Sequence, residues 1–574
     1  MNTADVLVDF LVKNGVKYIF GIPGGAIEDL NTSIFKNKKI TPIVTKHEAG
    51  AAYIADGFAR VANRLGVCFA TAGPGASNLI TALATAYVDG IPVMALTGQV
   101  ATSLFGRGAF QESGDEGINI VNIFKNFTKY STMILNEKRA RYMIGQAIRT
   151  ALTSPFGPVH ISLPVDIMKK EVEGSYQESL QFDTRYFDQE RVATIATILS
   201  MAKNPLIIAG WGCALSRAAC ELRELSELLK IPVATSPKGK GVFPESHPYS
   251  LGVFGFAGSP AARDYIHQND LDVVLAVGTS FNEFMSSGWD KRLCPQGHLI
   301  HIDVNPEKIG KNFFTSMGVP GDARTVISQI TRELETGFKN EKYRKPVLDD
   351  TREMKIRSFK EQYAFEYQRE TPKEGAYHPK NLIMDVQDAF PYDTIYFSEI
   401  GTVMAWTIRH MVVDEPYTYF VPLGFGGMGY ATAAPIGGKL AIGDRAVVAF
   451  VGDGSFLMHG FEVATAVNYN IPAIWIVLNN AMHGMIYHGR KMFKEPVPEG
   501  IPSKFKRVNF ALIAEGMGAR GIQIQNDGEI TREWVKKMKI LESKRPVVID
   551  VIIDEEAVPP IGSRIETVIR HFTN

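Results

Sequence analysis

Short runs of apolar residues alternate along the chain with glycine turns and with Ala-rich or amphipathic segments. In the first 170 residues these runs predict strands at residues 18–20, 40–45, 67–71, 93–97 and 159–163. The turns and helices that follow them have sequences such as GIPGGA and HEAGAAYIADGFAR. The recurring order of apolar run, turn and helix predicts a parallel α/β domain.

The same alternation returns in two further blocks. The predicted strands lie at residues 205–209, 231–235, 272–277 and 299–302 in the second block, and at 394–397, 446–451, 471–478 and 547–553 in the third. Polar segments at 171–189 and 337–375 separate the blocks, and the second of these has some helical character. We therefore predict three doubly wound parallel-sheet α/β domains, at residues 1–172, 190–336 and 376–560.

The most informative stretch is the strand-helix-strand unit at residues 446–480. Its first strand ends at the triplet Gly452-Asp453-Gly454, after which Ser455 is a predicted N-cap. A single helix should follow, with its apolar positions at Phe456, Phe461, Val463, Ala466 and Val467. The second strand ends in Asn479-Asn480. Polar oxygens thus follow both strands.

Asp453 and Asn480 should meet, because neighbouring parallel strands end at the same edge of a sheet. A carboxylate and an amide oxygen suit Mg²⁺, which takes its remaining ligands from water and phosphate. The glycines and the start of the helix would favour a bound anion. A Gly-Asp-Gly triplet is also a common turn, but the strand, helix and second strand around it favour a metal-diphosphate site.

Composition and charge narrow the class of protein. Apolar residues make up 45% of the 574 residues, and 61 basic residues balance 61 acidic ones, so neither a nucleic acid nor a membrane is expected as a partner. The four cysteines are scattered, without CxxC spacing, and we expect buried thiols in a reducing compartment. The N-terminus lacks a signal-peptide pattern, so the expected location is cytoplasmic.

Glu48 follows a predicted strand and opens a helix rich in Ala and Gly, which must pack tightly. One interpretation, which stays open, is that its carboxylate stabilises the positive end of that helix. The alternative is an acid in a tight, partly apolar niche, where it can exchange protons with a nitrogen heterocycle.

Several motifs, in the same order along nearly the whole chain, resemble those of thiamin-diphosphate enzymes of the acetolactate synthase branch. They are FGIPGGAI, HEAGAAYIADGFAR, ATAGPGASNLITAL, the FQE of GAFQES, HIDVNPEKIGKN, GFGGMGYATAAPIGG, GDGSF and LNN. The resemblance implies pyrimidine-binding, middle and diphosphate-binding domains. It also implies a homodimer or homotetramer, in which each active site combines the first domain of one subunit with the third domain of another.

The resemblance assigns roles to individual residues. Glu48 would contact the aminopyrimidine, and Asp453, Asn480 and the carbonyl of Met482 would bind Mg²⁺. Phe110 and Gln111 would face the reaction centre; a packing role for this loop is the alternative. The other residues implied in cofactor binding are Gly401, Thr402, Val403, Gly426, Met428, Gly452, Gly454, Ser455, Gly484, Met485 and Ile486.

The activity implied is decarboxylation of a 2-oxo acid, with pyruvate favoured, and transfer of the two-carbon unit to a carbonyl acceptor. An oxidase or acyltransferase of the same family is an alternative, and so is a noncatalytic binding or regulatory homologue. The intact set of Glu48, Asp453 and Asn480 argues against the noncatalytic alternative.

Three departures from the branch suggest an altered acceptor and make FAD doubtful. Val165, in LPVD, replaces a lysine of the related motif. His488-Gly489 replaces the Gln-Trp pair of the acceptor pocket. The loss of the Trp side chain should open space in that pocket. We also consider His488 a candidate catalytic residue. The flavin-contacting RFDDR is replaced by residues 280–284, SFNEF. Glycines 210, 212 and 278 lie at strand ends without a GxGxxG pattern, which favours a structural role.

Overall fold

The computed structural model describes residues 1–173, 187–343, 351–493 and 502–572. It contains three six-stranded sheets, and every strand pair in them is parallel. Helices connect most of the successive strands. The predicted fold class, three doubly wound α/β domains, is confirmed.

The first sheet has the strand order β2-β1-β3-β4-β6-β5. Its strands are β1 (Tyr18–Gly21), β2 (Thr41–Val44), β3 (Gly66–Ala70), β4 (Val93–Gln99), β5 (Tyr130–Met133) and β6 (Val159–Pro164). Its helices are α1 (Thr3–Lys13), α2 (Glu28–Asn37), α3 (Glu48–Ala62), α4 (Pro74–Ser77), α5 (Ile80–Asp89), α6 (Ile120–Lys125), α7 (Glu137–Leu152) and α8 (Val165–Met168).

The second sheet has the order β12-β11-β10-β7-β8-β9, the strand order of dinucleotide-binding folds. Its strands are β7 (Pro205–Ala209), β8 (Val233–Thr235), β9 (Ser250–Val253), β10 (Val273–Val277), β11 (His298–Asp303) and β12 (Met317–Pro320). Its helices are α9 (Gln189–Met201), α10 (Trp211–Leu215), α11 (Ala219–Leu229), α12 (Pro260–Gln268) and α13 (Ala323–Lys339). In this domain β8 and β9 are joined by a helix-free segment, and β10, β11 and β12 are joined through short 3-10 turns. Helix α14 (Thr351–Gln362) follows in the predicted second connector. The linker predicted at 171–189 lies largely outside the described residues.

The third sheet, ordered β14-β13-β15-β16-β18-β17, repeats the connectivity of the first. Its strands are β13 (Ile395–Ser398), β14 (Tyr419–Phe420), β15 (Val447–Gly452), β16 (Ile474–Asn479), β17 (Arg520–Ile524) and β18 (Val547–Ile552). Its helices are α15 (Pro379–Ala389), α16 (Thr402–His410), α17 (Tyr430–Ile442), α18 (Asp453–His459), α19 (Glu462–Asn468), α20 (Gly484–Met492), α21 (Phe510–Gly516), α22 (Arg532–Lys537) and α23 (Gly562–Phe572).

The helix predicted after the Gly-Asp-Gly triplet is wrong in two details. It begins at Asp453, with Gly452 as the N-cap, so Ser455 lies in the first turn and is not a cap. It also ends at His459, and a second helix begins at Glu462. Gly460 separates them and lies directly under the ring of Phe456. The break leaves Phe461 66% exposed instead of packed.

The first and third domains share one core, in which α3 packs closely against α17. A Cβ added to Gly57 would lie 2.1 Å from the carbonyl oxygen of Ala434, and one added to Gly437 would lie 1.9 Å from that of Ile54. No larger side chain fits at either position. The tight packing predicted for the Ala/Gly-rich helix of Glu48 is therefore present.

A buried ionic junction joins all three domains. The carboxylate of Asp89 accepts from Arg60 at 2.9 Å and from Lys238 of the middle domain at 2.7 Å. Its backbone carbonyl accepts from the indole N–H of Trp211 at 2.8 Å. The Arg60 guanidinium also lies 5.3 Å from the ring centre of Tyr430, in the third domain.

All four cysteines are free thiols, but only Cys68 and Cys213 are buried; Cys220 and Cys294 are exposed, against expectation. A search of the described helices for a segment long and apolar enough to cross a bilayer found none.

Candidate functional site

The site lies at the carboxyl edge of the third sheet, where the strand order changes direction between β13 and β15. Open α/β sheets bind their ligands at such a switch point. Register between β15 and β16 pairs Gly452 with Leu478, so the residues just after both strands emerge side by side. The sheet therefore brings Asp453 and Asn480 together, as the sequence predicted.

Hydrogen bonds fix the carboxylate of Asp453. One oxygen accepts the backbone N–H of Gly454 at 2.8 Å, and the other accepts those of Asn480 at 3.0 Å and Ala481 at 2.5 Å. Burial raises the pKa of Asp453 to about 6, although these donors favour the ionised form. A buried carboxylate with a raised pKa is stabilised by a cation, so Asp453 suits a metal ion.

The loop after β16 presents the other predicted metal ligands. The side-chain oxygen of Asn480 accepts the N–H of Met482 at 3.2 Å. Residues on both sides of Met482 are tied to another segment, since His483 donates to Ser503 at 2.7 Å and Phe505 donates to Ala481 at 2.9 Å. The backbone at Met482 is thereby held in place. Asp453 is the only ionisable ligand of the set, in keeping with the lack of any cluster of three or more His, Cys, Asp or Glu among the described residues.

Two nine-residue helices, α16 and α20, begin beside this carboxylate. Neither has a side-chain cap, because their N-cap residues Gly401 and His483 make no capping hydrogen bond. Uncapped N–H groups and the positive end of the helix dipole favour an anion. The Asp453 carboxylate can bind a cation, and the starts of the two helices can bind an anion. This combination matches a metal ion paired with a diphosphate.

Glycines in the site leave room that side chains would fill. A Cβ on Gly454 would lie 3.0 Å from the ring of His483 and 3.7 Å from the end of Met428. A Cβ on Gly484 would lie 3.1 Å from Thr402 and 3.2 Å from the amide nitrogen of Asn480. These glycines allow the backbone to approach a ligand closely.

A single cavity of about 910 Å³ contains the predicted residues of the third domain. Pockets of roughly 300–1,000 Å³ are usual for small molecules and cofactors. Every residue predicted to bind the cofactor, apart from Glu48, lines it: Gly401, Thr402, Val403, Gly426, Met428, Gly452, Asp453, Gly454, Ser455, Asn480, Met482, Gly484, Met485 and Ile486.

Glu48, Phe110 and Gln111 do not line this cavity; they form a second cluster on the first domain. Glu48 is buried at the start of α3 and accepts a hydrogen bond from Asn78 at 2.9 Å. Gln111 has φ +64° and packs against Gly73, whose N–H donates to Ser113 at 3.0 Å. Phe110 is 87% exposed. Each chain thus carries two separate groups of predicted site residues.

His488 is buried behind the cavity and does not line it. Its ring meets the ring of Tyr487 edge-on, with centroids 5.2 Å apart, and burial lowers its pKa. Its neighbour Gly489 does line the cavity. A Cβ there would lie 3.9 Å from Ile565 of α23, so the C-terminal helix faces the space opened by the glycine.

Two buried glutamates near the site were not predicted. Glu399 accepts the N–H groups of Ile400 and Ala431, both at 3.1 Å, and joins the end of β13 to the start of α17. Glu462 accepts the N–H of His47 at 2.9 Å, one residue before Glu48. Burial raises the pKa of each glutamate to about 7. Glu399 directly follows a predicted strand, in the sequence SEIG, and this position could have indicated a functional residue. No local sequence pattern indicates Glu462.

In the middle domain, the glycines at the strand ends have a structural role, as predicted. The N–H groups of Gly210, Gly212 and Gly278 donate to Val277, Gly278 and Ile302, each at 2.8 Å, and none is left for a phosphate. In the segment that replaces RFDDR, Phe281 is buried in the core. Phe284 instead lines the cavity and stacks on Phe256, with ring centroids 4.6 Å apart.

Comparison with protein-family models agrees with this site. Thiamine pyrophosphate enzyme models match all three blocks: the N-terminal TPP binding domain over residues 1–118, the central domain over 192–330 and the C-terminal TPP binding domain over 399–551. The chain therefore belongs to the thiamine pyrophosphate enzyme family, and it is a thiamin-diphosphate-dependent enzyme.

Within this family the chain is similar to acetolactate synthases. It is 32% identical to a probable acetolactate synthase large subunit of Methanocaldococcus jannaschii, over 99% of this chain and 95% of the relative. It is 30% identical to the acetolactate synthase isozyme 3 large subunit of Escherichia coli, over 98% and 97%. It is 32% identical to an acetolactate synthase of Arthrospira platensis, over 97% and 96%. The predicted resemblance to the acetolactate synthase branch is confirmed.

Proposed function

We propose that this enzyme decarboxylates a 2-oxo acid, with pyruvate as the favoured donor, and transfers the two-carbon unit to a carbonyl acceptor. The observation that carries the proposal is the convergence of fourteen predicted cofactor residues on one cavity. The similarity to acetolactate synthases supports the same reaction class. A cytoplasmic location remains a prediction.

Mg²⁺ is proposed to bind Asp453, Asn480 and the carbonyl of Met482. Thr402, Val403, Gly454 and Ser455, at the starts of α16 and α18, would hold the diphosphate together with Gly401. The buried carboxylate and the uncapped helix starts described above fit this pair of charges. When bound, thiamin diphosphate supplies a carbon nucleophile and an electron sink for decarboxylation.

The acid in this scheme is Glu48 of a second subunit, so the active form is a homodimer or homotetramer. Glu48 and the exposed Phe110 both belong to the first domain, and neither lines the cavity of its own chain. At a subunit interface, the first-domain residues of one subunit would complete the cavity of the other. There the Glu48 carboxylate would exchange a proton with the aminopyrimidine nitrogen, and the Gln111 amide would hydrogen-bond the reacting substrate.

The apolar wall of the cavity supports decarboxylation. Phe256, Phe284, Phe425 and Phe493 are among its lining residues, and they exclude water from the site. Loss of CO₂ removes a localised charge, which an environment of low polarity favours. His488 has no proposed role in these steps, because it does not line the cavity.

The acceptor pocket is proposed to admit a bulkier acceptor than a second pyruvate. Gly489 stands where the related enzymes have Trp, and the space beside it is bounded by Ile565. No flavin is proposed to take part, since Ser280 and Phe284 stand where the flavin-contacting motif has its two arginines. This makes the oxidase alternative less favourable.

The experiment is a donor and acceptor screen. Purified protein with Mg²⁺ and thiamin diphosphate is given a panel of 2-oxo acids, and CO₂ release is measured; products with mixed acceptors are then identified by mass spectrometry. We expect CO₂ from pyruvate and a mixed carboligation product. If no 2-oxo acid releases CO₂, the proposed reaction is wrong, and if acetolactate is the sole efficient product, the altered acceptor is wrong. Flavin absorbance in the purified protein would favour the oxidase.

A further inference from the structure

One face of α20 and its C-cap residue line the cavity at helical spacing, with Ile486, Gly489, Arg490 and the C-cap Phe493. Three of them have no charge, and Arg490 places a half-buried guanidinium at the cavity wall. Since a helix rises 1.5 Å per residue, Arg490 lies about 9 Å further along the axis than Gly484, where the helix begins beside the metal-binding loop. Arg490 therefore lies toward the opposite end of α20 from the loop of the predicted metal ligands.

Arg490 differs from the charged residues around it because it has no anionic partner among the residues that the structure describes. In the described part of the chain, no carboxylate lies within ion-pair distance of it and no hydrogen bond from its side chain is found. The next residue, Lys491, pairs with Glu556. The other arginine of the cavity, Arg564, pairs with Glu283 and lies over the ring of Phe284.

The described residues of the cavity wall offer Arg490 no neighbouring anion. Asp453 is the only acidic residue among the described residues that line it, and it lies at the opposite, metal-binding end. The remaining wall near Arg490 is apolar, with Phe493, Ile561, Ile565 and Val568. A guanidinium beside apolar surface forms strong hydrogen bonds with any carboxylate that enters, and its planar fork matches the two carboxylate oxygens.

We propose that Arg490 binds the carboxylate of the acceptor substrate, and that this acceptor is a carboxylic acid with a bulky apolar body. The inference rests on the proposed carboligase function. The proposed diphosphate site is at the other end of α20. The donor is excluded as the partner, because a guanidinium paired with the departing carboxylate would stabilise the ground state and oppose CO₂ loss.

The test measures binding without turnover, by calorimetry on the protein loaded with Mg²⁺ and thiamin diphosphate. Phenylacetate is compared with phenylacetamide, which has nearly the same shape and no charge. We expect phenylacetate to bind at least about tenfold more tightly. Arg490→Gln should bring the two affinities within about twofold, whereas Arg490→Lys should keep part of the preference. Lys491→Gln, on the same helix but outside the cavity, is the matched control and should keep all of it.

Equal affinities for the two probes in the unaltered protein would overturn the proposal, and so would an undiminished preference in Arg490→Gln. Melting temperatures of the variants establish that they fold. The result is independent of the donor screen: absence of CO₂ release would refute the proposed reaction while leaving the role of Arg490 in anion binding to be decided by the calorimetry. In turnover, Arg490→Gln should raise the KM of a carboxylate acceptor at least about tenfold.

Discussion

The buried carboxylate of Glu462, in the third domain, accepts the backbone N–H of His47 at 2.9 Å, directly before Glu48. It also accepts the N–H of Lys46 at 3.1 Å. A Cβ on Gly50 would lie 2.2 Å from the same carboxylate, so nothing larger fits between it and α3. Glu462 therefore sets the position at which the helix of Glu48 begins.

Glu462→Ala should lower kcat at least about tenfold and leave the affinity for thiamin diphosphate nearly unchanged. The substitution leaves two partly buried N–H groups without their acceptor, at a cost of up to about 1–3 kcal/mol each, and the turn before Glu48 shifts to satisfy them. Glu462→Gln is the matched control, since its amide oxygen can accept the same two N–H groups. Equal losses in both variants would show that the hydrogen bonds to the turn do not matter.

Glu399 predicts a pH dependence of stability. Burial raises its pKa from 4.5 to about 7 in the folded protein. Between pH ~4.5 and ~7 the folded state then binds more protons than the unfolded state, so the free energy of unfolding falls as pH rises, by on the order of 3 kcal/mol from this group. Glu399→Gln should flatten this part of the curve, measured by denaturant unfolding of the cofactor-free protein from pH 4.5 to 8. An unchanged slope would contradict the buried, protonated state.

Asp453→Asn should weaken the Mg²⁺-dependent binding of thiamin diphosphate by about 100-fold, because it removes the only charged protein ligand in the proposed metal site. The amide oxygen can still accept a backbone N–H, so the melting temperature should change by only a few degrees. Fluorescence titration with the cofactor, at fixed Mg²⁺, gives the affinity. Normal binding in this variant would place the metal elsewhere.

Gly489→Trp should discriminate against bulky acceptors. An indole would occupy the space between α20 and Ile565, so kcat/KM should fall at least about tenfold for an aromatic acceptor and less for pyruvate. Gly489→Ala adds a Cβ at 3.9 Å from Ile565, an ordinary contact, and serves as the control. If the tryptophan variant loses both acceptors in equal proportion, the residue does not select between them.

Mixing two inactive variants tests whether subunits share active sites. A heterodimer of Glu48→Gln and Asp453→Asn chains would have one site with both defects and one site with none. Equal amounts that exchange freely should recover about a quarter of the unaltered activity, since half of the dimers are mixed and each has one intact site. Sites confined to single chains would give no recovery beyond the separate variants.

The sequence located the cofactor cavity well because its residues are marked by local chemistry. Glycines and polar residues directly after buried strands can be recognised in the sequence alone, and neighbouring parallel strands bring such positions together. Arg490, Phe256, Phe284 and Ile565 carry no such mark. They join the cavity through tertiary packing of α20, the middle domain and the C-terminal helix, which no single stretch of sequence specifies.

The strands that the sequence missed share a physical cause. They are β5, β9, β12, β14 and β17, and each lies at the edge of its sheet. Edge strands are short and pair on one side only, so their pattern is weak. The residues of β5 are all half-buried, and β14 has only two residues. The central strands are apolar on both faces, and the sequence predicted their ends to within a few residues.

The ionic junction at Asp89 limits how this chain can be divided. Cutting between the first and second domains would leave Arg60 and Asp89 on one piece and Lys238 on the other, and each fragment would expose charges that the intact protein covers. Removing the third domain would strip Tyr430 from the same guanidinium. The three sheets are consequently not interchangeable modules, and swapping any one for its counterpart from a relative requires transplanting the junction with it.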